Sequence, residues 1–417
     1  MKFRIRDILS ILFFIACLFQ EIAGETKGFT LEEFVERALA KDSRVIETRL
    51  GREVAEARQK ANLAIPDSEI SLSYGTDAFG NDEGERALGL SLSQPFRLPQ
   101  QKKALREIAN AGTALAVASQ QEADWLAKMK AKQLFHRLLA ARQRLELSQK
   151  ATKLSNELAR FVATAAARGE ASKIDAGQTQ LKSLEANETH FAHEQAYNEL
   201  VGNARAMLRL EQAAELIIEG TLEFPEARIL PPNDLLDLKS TRPDLMKASH
   251  EEKRAAAKLR ATKSKRWGNW ALQAYVEHAR EIDSPDGLQR ERSLGVALSV
   301  ILPWWGRGRA ELQAARAEAK TSSMRREALT QSIVFELKTA VEREVSLFRR
   351  LSRFKDTITP LAEKNAVEAL EAFSLGQVSL QQVLMMREEA LRLQGTFLDL
   401  LLEYHLAAIR LEAVLGK

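Results

Sequence analysis

LGLSLSQPFRLPQQKKALREIANA, residues 88–111, has a counterpart in LGVALSVILPWWGRGRAELQAARAEA, residues 294–319. Each begins with apolar residues at every second position, breaks at a proline and an aromatic, and carries a pair of cations. Each then enters an alanine-rich stretch. Period-two alternation predicts a strand with one apolar face, the proline ends it, and the alanine-rich continuation predicts a helix. The chain spells strand, break and helix twice.

The repetition extends further. An offset of 206 pairs Leu90 with Val296, Leu92 with Leu298, Lys103 with Arg309 and Ala104 with Ala310. An offset of 207 pairs Gly169 with Gly376 and Ser172 with Ser379, and one of 200 pairs Val45 with Leu245. We read a tandem duplication with repeats at 25–218 and 242–417. The joint at 219–241 holds Pro225, Pro231 and Pro232, which stop helices.

Each repeat opens with a helix, about Leu31–Ala64 and then Pro243–Lys265, the first with a capping-box pair in Thr30 and Glu33. Strands follow at about 68–76 and 86–96, and again at 269–280 and 292–303. Ile70, Leu72 and Tyr74 alternate with Ser71, Ser73 and Gly75, and Leu272, Ala274 and Val276 alternate with Gln273, Tyr275 and Glu277. A tilted membrane-crossing strand needs about 9–11 residues, which these supply. The loops TDAFGNDEGE (76–85) and EIDSPDGLQRE (281–291) are polar and turn-rich. A lone hairpin is marginal in water, so the strands need partners from the other repeat or from other copies of the chain. Trp267, Trp270, Trp304 and Trp305 cluster where the second hairpin starts and ends, as in an interfacial girdle, whereas Trp125 reads as packing.

After the strands come helix hairpins at 100–214 and 306–415. From Gln100 to Arg168 there is no proline, and no glycine after Gly112. A helix of that length spans about 100 Å at 1.5 Å per residue and must lie against other helices. Its stripe is narrow, as in Leu134, Leu138, Ala141 and Leu145, while runs such as Lys128–Lys132 and Arg349–Arg353 read as wetted faces. The second long helix carries Pro360, where a kink or break is expected. The reversals ARGEASKIDAGQ (167–178) and SLGQVSLQQVLM (374–385) offer glycine for a left-handed C-cap and Ser172 or Ser379 as the next N-cap.

Composition narrows the function. The 417-residue chain is 28% charged with a formal net charge of +4, too balanced to favour nucleic acid. Lys2, Arg4 and Arg6 precede an apolar run from Ile8 to Phe19, the pattern of a secretory signal at 1–24. Two processing routes fit: cleavage after Gly24, or acylation of Cys17 at a lipobox-like FIAC. Cys17 is the only cysteine, so no disulfide is expected. Beyond the signal no apolar run is long enough for a membrane helix, which leaves a periplasmic protein or a β-barrel. His190 and His193 have metal-compatible spacing but no evident third ligand, and read as a solvent-facing pair. Met385 and Met386 read as packing. No nucleophile–base motif, phosphate loop, zinc motif or cofactor signature is present, so no enzyme is expected.

The ordered set resembles the TolC-like outer-membrane efflux family. It comprises FTLEEFVERAL (29–39), STRPDLMKA (240–248), YHLAAIRLEAVLG (404–416) and the repeated Gly-x-x-Ser turn. The flavour is closest to its CzcC-like heavy-metal and cation branch. The resemblance implies a mainly α protomer with a membrane β-barrel. Four strands from each subunit of a homotrimer would close 12 strands above an α-helical periplasmic tunnel. GRGR (306–309) would bend strand into helix through Gly306 and Gly308, with Pro99 doing so in the first repeat. It further implies that the far turns dock a periplasmic adaptor protein joined to an inner-membrane pump of resistance-nodulation-division type. The matching positions are Arg168, Gly169, Ser172, Gly376 and Ser379. Entrance positions fall on Asp175, Gln382 and Met385, so only the first turn keeps an acid. The expected function is a passive channel for cargo delivered by the pump, metal cations among the candidates. The alternative is a periplasmic coiled-coil scaffold without a pore, which the four strands disfavour.

Overall fold

The computed structural model describes residues 28–76, 84–211, 216–225, 242–265, 268–283, 287–301 and 307–416. The signal segment with Cys17, the joint prolines Pro231 and Pro232, and Trp267, Trp304, Trp305 and Gly306 lie outside the described residues. In chain order the elements are α1 (Leu31–Lys41), α2 (Ser43–Leu63), β1 (Glu69–Thr76), β2 (Arg86–Phe96), α3 (Pro99–Ala167) and α4 (Lys173–Leu208). The second half gives α5 (Pro243–Ser264), β3 (Asn269–Asp283), β4 (Gly287–Ile301), α6 (Arg307–Arg353), α7 (Thr359–Ser374) and α8 (Leu380–Val414). The chain is thus mainly helical with one small sheet.

Two compact units form, and each draws on both halves of the sequence. One comprises Met1–Ile46, Asp124–Leu238 and Val334–Lys417, the other Glu47–Ala123 and Lys239–Ile333, each over its described residues.

The second of these units holds the sheet. Its order is β1-β2-β3-β4, with every neighbouring pair antiparallel. The two hairpins meet through β2 and β3, where Leu90 pairs with Val276 and Phe96 with Trp270. β3 and β4 run 15 residues each, further than the sequence alternation suggested. Most of EIDSPDGLQRE, read as loop, is therefore strand, with Asp283 paired to Gly287. At the base of the sheet Pro99 starts α3, and the Gln101 amide donates to the Gly268 carbonyl at 2.6 Å. Gly268 has φ +71°, a left-handed conformation that suits glycine immediately before β3. Gly308, expected to bend the second strand into its helix, instead lies inside α6 without positive φ. Around α3, α5 and α6 this unit is tied by ion pairs on helix faces, including Lys247–Glu122 at 2.8 Å and Arg326–Glu252 at 2.6 Å.

The other unit contains the main apolar core. α1 begins at the Thr30–Glu33 capping box and buries Phe34, Val35 and Ala38 on one face. These pack with Phe135, Leu138 and Leu139 of α3, Ala204 and Leu208 of α4, Leu351 of α6 and Leu401 and Tyr404 of α8. The rings of Phe34 and Phe135 meet edge-on at 5.5 Å. Asp42 separates α1 from α2 in what the sequence suggested was one helix, and its carboxylate accepts from the Arg44 and Val45 amides. A short parallel bridge joins Phe29 to Ile218. Near Pro360 the α6 helix passes into a π-turn at Phe354–Ile358 before α7. The wider turn accommodates a proline that cannot donate to the helical ladder.

Candidate functional site

The sheet segregates its two faces. Ile70, Leu72, Leu90, Leu92, Val276, Leu294, Val296 and Leu298 all expose their side chains on one of them. Leu294 is 81% exposed and Ile70 73%, although both sit on regular strands. Such a face is costly in water and favourable against lipid. The opposite face carries small and polar residues. Ser71 and Ser91 hydroxyls bond across strands at 2.6 Å, and the ring of Tyr275 covers Gly295. Glu277, Glu281 and Glu291 lie on this face by register. Among the described residues, β1 and β4 each pair on one side only, leaving two free edges. Of the expected tryptophan girdle, Trp270 is described, half-buried with its ring 6.3 Å from Phe96 at the helix end of the sheet.

The second candidate region is the pair of helix reversals, both within the core-bearing unit. They are built alike. At the end of α3, Gly169 has φ +77°, its amide reaches the Ala166 carbonyl at 3.1 Å and the Glu170 amide reaches Ala165 at 2.9 Å. At the end of α7, Gly376 has φ +72°, its amide reaches Phe373 at 2.9 Å and the Gln377 amide reaches Ala372 at 2.9 Å. Both are Schellman closures that need a left-handed residue. Ser172 then caps α4 through the Ile174 amide, and Ser379 caps α8 through the Gln382 amide. Leu158 and Val162, on α3 ahead of the first reversal, pack with Leu380 from the second, with Phe373 and Leu384 against them. The structure therefore brings Gly169, Ser172, Gly376 and Ser379 to one end of this unit, with Arg168 exposed beside them.

The entrance positions differ from one another. Asp175 is half-buried in the first turn of α4. Gln382 holds a capping box, its Oε1 accepting from the Ser379 amide at 3.1 Å. Met385, expected to pack, is 55% exposed, and Met386 is half-buried. Phe161, Ile174 and Leu375 are also strongly exposed near the turns, an apolar rim that alternation patterns did not reveal.

Above the turns lies a cavity of about 920 Å³ between the two helix hairpins. Leu154, Leu158, Val367, Leu370 and Leu391 line it, with Lys182, Glu388 and His193 among its polar groups. Lys182 pairs with Glu388 across the hairpins and with Glu185 at 2.9 Å. Those two carboxylates hold its ammonium above the usual lysine range, Glu388 most strongly. This bridge was not legible from spacing, because its partners are some two hundred residues apart in sequence. His190, expected to face solvent, is instead within 3.1 Å of the Ser148 hydroxyl. Burial, then the Arg144 charge and then His190, lower the pKa of His193. Among the described residues no group of three or more His, Cys, Asp or Glu could hold a metal, and no helix is long and apolar enough to cross a membrane.

No protein-family model matches the sequence, and no curated protein matches it. Solved structures do. CusC, described through its transmembrane channel formation, is 17% identical, covers 93% of this chain and 92% of its own, and superposes with a TM-score of 0.77. The outer-membrane protein VceC from Vibrio cholerae is 15% identical over 93% of this chain and 96% of its own, with a TM-score of 0.73. The CmeC outer-membrane channel of Campylobacter jejuni is 14% identical over 93% and 85%, with a TM-score of 0.77. The chain has the protomer fold of these outer-membrane proteins, which is the fold that the sequence resemblance implied.

Proposed function

We propose that the protein is the outer-membrane duct of a tripartite efflux system, conducting passively what an inner-membrane pump delivers through a periplasmic adaptor. The observation that carries this reading is the four-stranded sheet with an exposed apolar face and two unpaired edges. Lipid satisfies the face, and closure with sister copies satisfies the edges, since an open edge is not tolerated in hydrocarbon. A homotrimer would close 12 strands from four per copy. The serine-, glycine- and glutamate-bearing face would then line the pore.

The helical turns would form the periplasmic mouth. Arg168, Gly169, Ser172, Gly376 and Ser379 are the proposed adaptor-docking positions, supported by their common geometry and the exposed Ile174 and Leu375 beside them. In this reading Asp175 supplies the charge at the entrance and Met385 an apolar contact, while Gln382 fixes the turn rather than gating it. The pump would be of resistance-nodulation-division type. Metal cations are the proposed cargo class, and Glu277, Glu281 and Glu291 on the inner face suit a cation path.

The test is oligomeric state and conductance together. Protein extracted in detergent is expected to run as a trimer and to open discrete, cation-preferring channels in a planar bilayer. A water-soluble monomer without conductance would overturn the proposal in favour of a scaffold.

A further inference from the structure

We infer that the outward face of the sheet carries a binding site for a phosphorylated lipid headgroup, built from Arg86, His278, Arg280, Arg290 and Arg292. The inference rests on the membrane reading above, which makes this face the lipid-facing one.

Strand register assembles the site. Arg280 lies between two arginines, paired with Arg86 on β2 and with Arg290 on β4. In the next row His278 lies between Leu88 and Arg292, and Leu88 pairs with Tyr74 on the far side. All five cationic side chains are exposed. They occupy the same face as Leu90, Val276 and Leu294, two or four residues nearer the loop end of each strand. Like charges placed directly opposite one another on a sheet destabilise it unless something neutralises them.

Among the described strand residues no carboxylate does so. The described strand carboxylates nearby, Glu277, Glu281 and Glu291, are at odd register positions and so belong to the other face. Among the described residues, no side-chain hydrogen bond or ion pair joins any of the five cations to a partner. The described strand residues sort their charges by register, the cations on the outward face and Glu69, Glu277, Glu281 and Glu291 on the inward one. Opposite charges set across strands would stabilise the pairing, whereas these rows of like charge oppose it.

Position along the strand identifies the ligand class. Ten residues separate Trp270, beside Phe96 at the helix end, from Arg280 at the loop end. At about 3.4 Å per residue and a tilt of about 40°, that is roughly 26 Å across the membrane, against an apolar band of about 25 Å in outer-membrane barrels. The arginine row therefore falls where acyl chains give way to headgroups on the loop side. Guanidinium groups bind phosphate through paired, charge-assisted hydrogen bonds, and Tyr74 in the adjoining row suits the same interfacial depth. The occupant is a phosphorylated headgroup of the loop-side leaflet, its acyl chains lying on Leu90, Val276 and Leu294.

The test uses the full-length, detergent-purified protein and native mass spectrometry. The probes are lipid A with its phosphates, the same lipid dephosphorylated, and inorganic phosphate as competitor. The wild type is expected to retain phosphorylated lipid A at least roughly tenfold better than the dephosphorylated form. The quadruple variant Arg86→Gln, Arg280→Gln, Arg290→Gln, Arg292→Gln should lose that preference, while Glu277→Gln on the inner face keeps it. Millimolar inorganic phosphate should not displace the lipid. Equal retention of both lipids by the wild type, or an unchanged preference in the quadruple variant, overturns the inference. Full displacement by inorganic phosphate overturns the lipid as source. Trimer assembly and bilayer conductance are read on the same preparations. If they are intact while the preference is absent, the lipid site alone fails. If they are absent in the wild type, the membrane reading fails and the site with it.

Discussion

His136 of α3 and His405 of α8 stack nearly parallel, ring centroids 4.9 Å apart and planes 13° from coplanar. The His405 Nε2–H donates to the Glu223 carbonyl at 3.0 Å, which fixes its tautomer. Tyr404 beside it donates to buried Glu344 at 3.3 Å, and Lys132 pairs with Glu412 at 2.7 Å. Burial first, then His405 and Lys132, push the pKa of His136 down to about 4, with Glu412 opposing. Burial lowers His405 too, against the pull of the Glu223 carbonyl. Both rings are thus neutral in the folded protein near pH 7. The unfolded chain binds protons at these sites from about pH 6.5 downward, so stability is full above that value and declines as pH falls toward 4. The His136 share is up to ~3 kcal/mol. Thermal unfolding of the helical signal is expected to shift to lower temperature between pH 6.5 and 4, with a clearly shallower slope in His136→Leu. An identical slope in the variant would remove the stacked pair from the account.

Tyr275 lies over Gly295 on the small-residue face. A Cβ on Gly295 would overlap Cζ, Oη and Cε1 of that ring. Gly295→Val should displace the ring, cost about 1–3 kcal/mol and alter single-channel conductance. Adding Tyr275→Ala should recover much of the stability, a coupling that a double-mutant cycle measures. Additive effects would mean that the two do not share the space.

Gly169 and Gly376 have open space where a Cβ would stand. Substitution there meets backbone cost alone. Gly169→Ala or Gly376→Ala should each cost ~1 kcal/mol, through positive φ. Hydrogen exchange should quicken in the last turn of α3 or α7, and adaptor binding should weaken, while sheet protection is unchanged. Gly51, helical and equally open, is the control, and Gly51→Ala should be neutral or mildly stabilising.

Phe34 is completely buried against Phe135, so Phe34→Ala should lower stability by ~3–5 kcal/mol through lost burial and a cavity. Leu294→Ala, in contrast, removes a side chain that is 81% exposed in the protomer. It should leave unfolding in detergent nearly unchanged while reducing partition into bilayers.

The strands, the helix hairpins and both glycine turns were readable because they rest on local signals: alternation, capping serines and residues with special backbone freedom. Ser379 with Gln382 is such a case, although three-residue spacing alone did not separate a cap from a gate. What was not readable depends on partners distant in sequence. The polar run 281–291 looks like a loop by composition, yet pairing across the hairpin carries β3 and β4 through most of it. Only that register sets Arg280 between Arg86 and Arg290. Likewise Lys182 and Glu388 meet because two hairpins pack, and neither residue stands out in its own segment. Asp42 divided a helix that periodicity ran together, since its carboxylate caps the next one.

The central claim is that β1 of one copy pairs with β4 of the next inside the membrane. Cysteine substitutions along both edges test it directly: Ser71→Cys or Ser73→Cys on β1, each combined with Ala297→Cys or Ser299→Cys on β4, oxidised in isolated outer membranes. The account predicts that at least one combination gives a disulfide-linked ladder ending at trimer, reversible by reductant and absent from each single variant. Protein that enters the outer membrane yet forms no intermolecular disulfide in any combination, or stops at dimer, would contradict it.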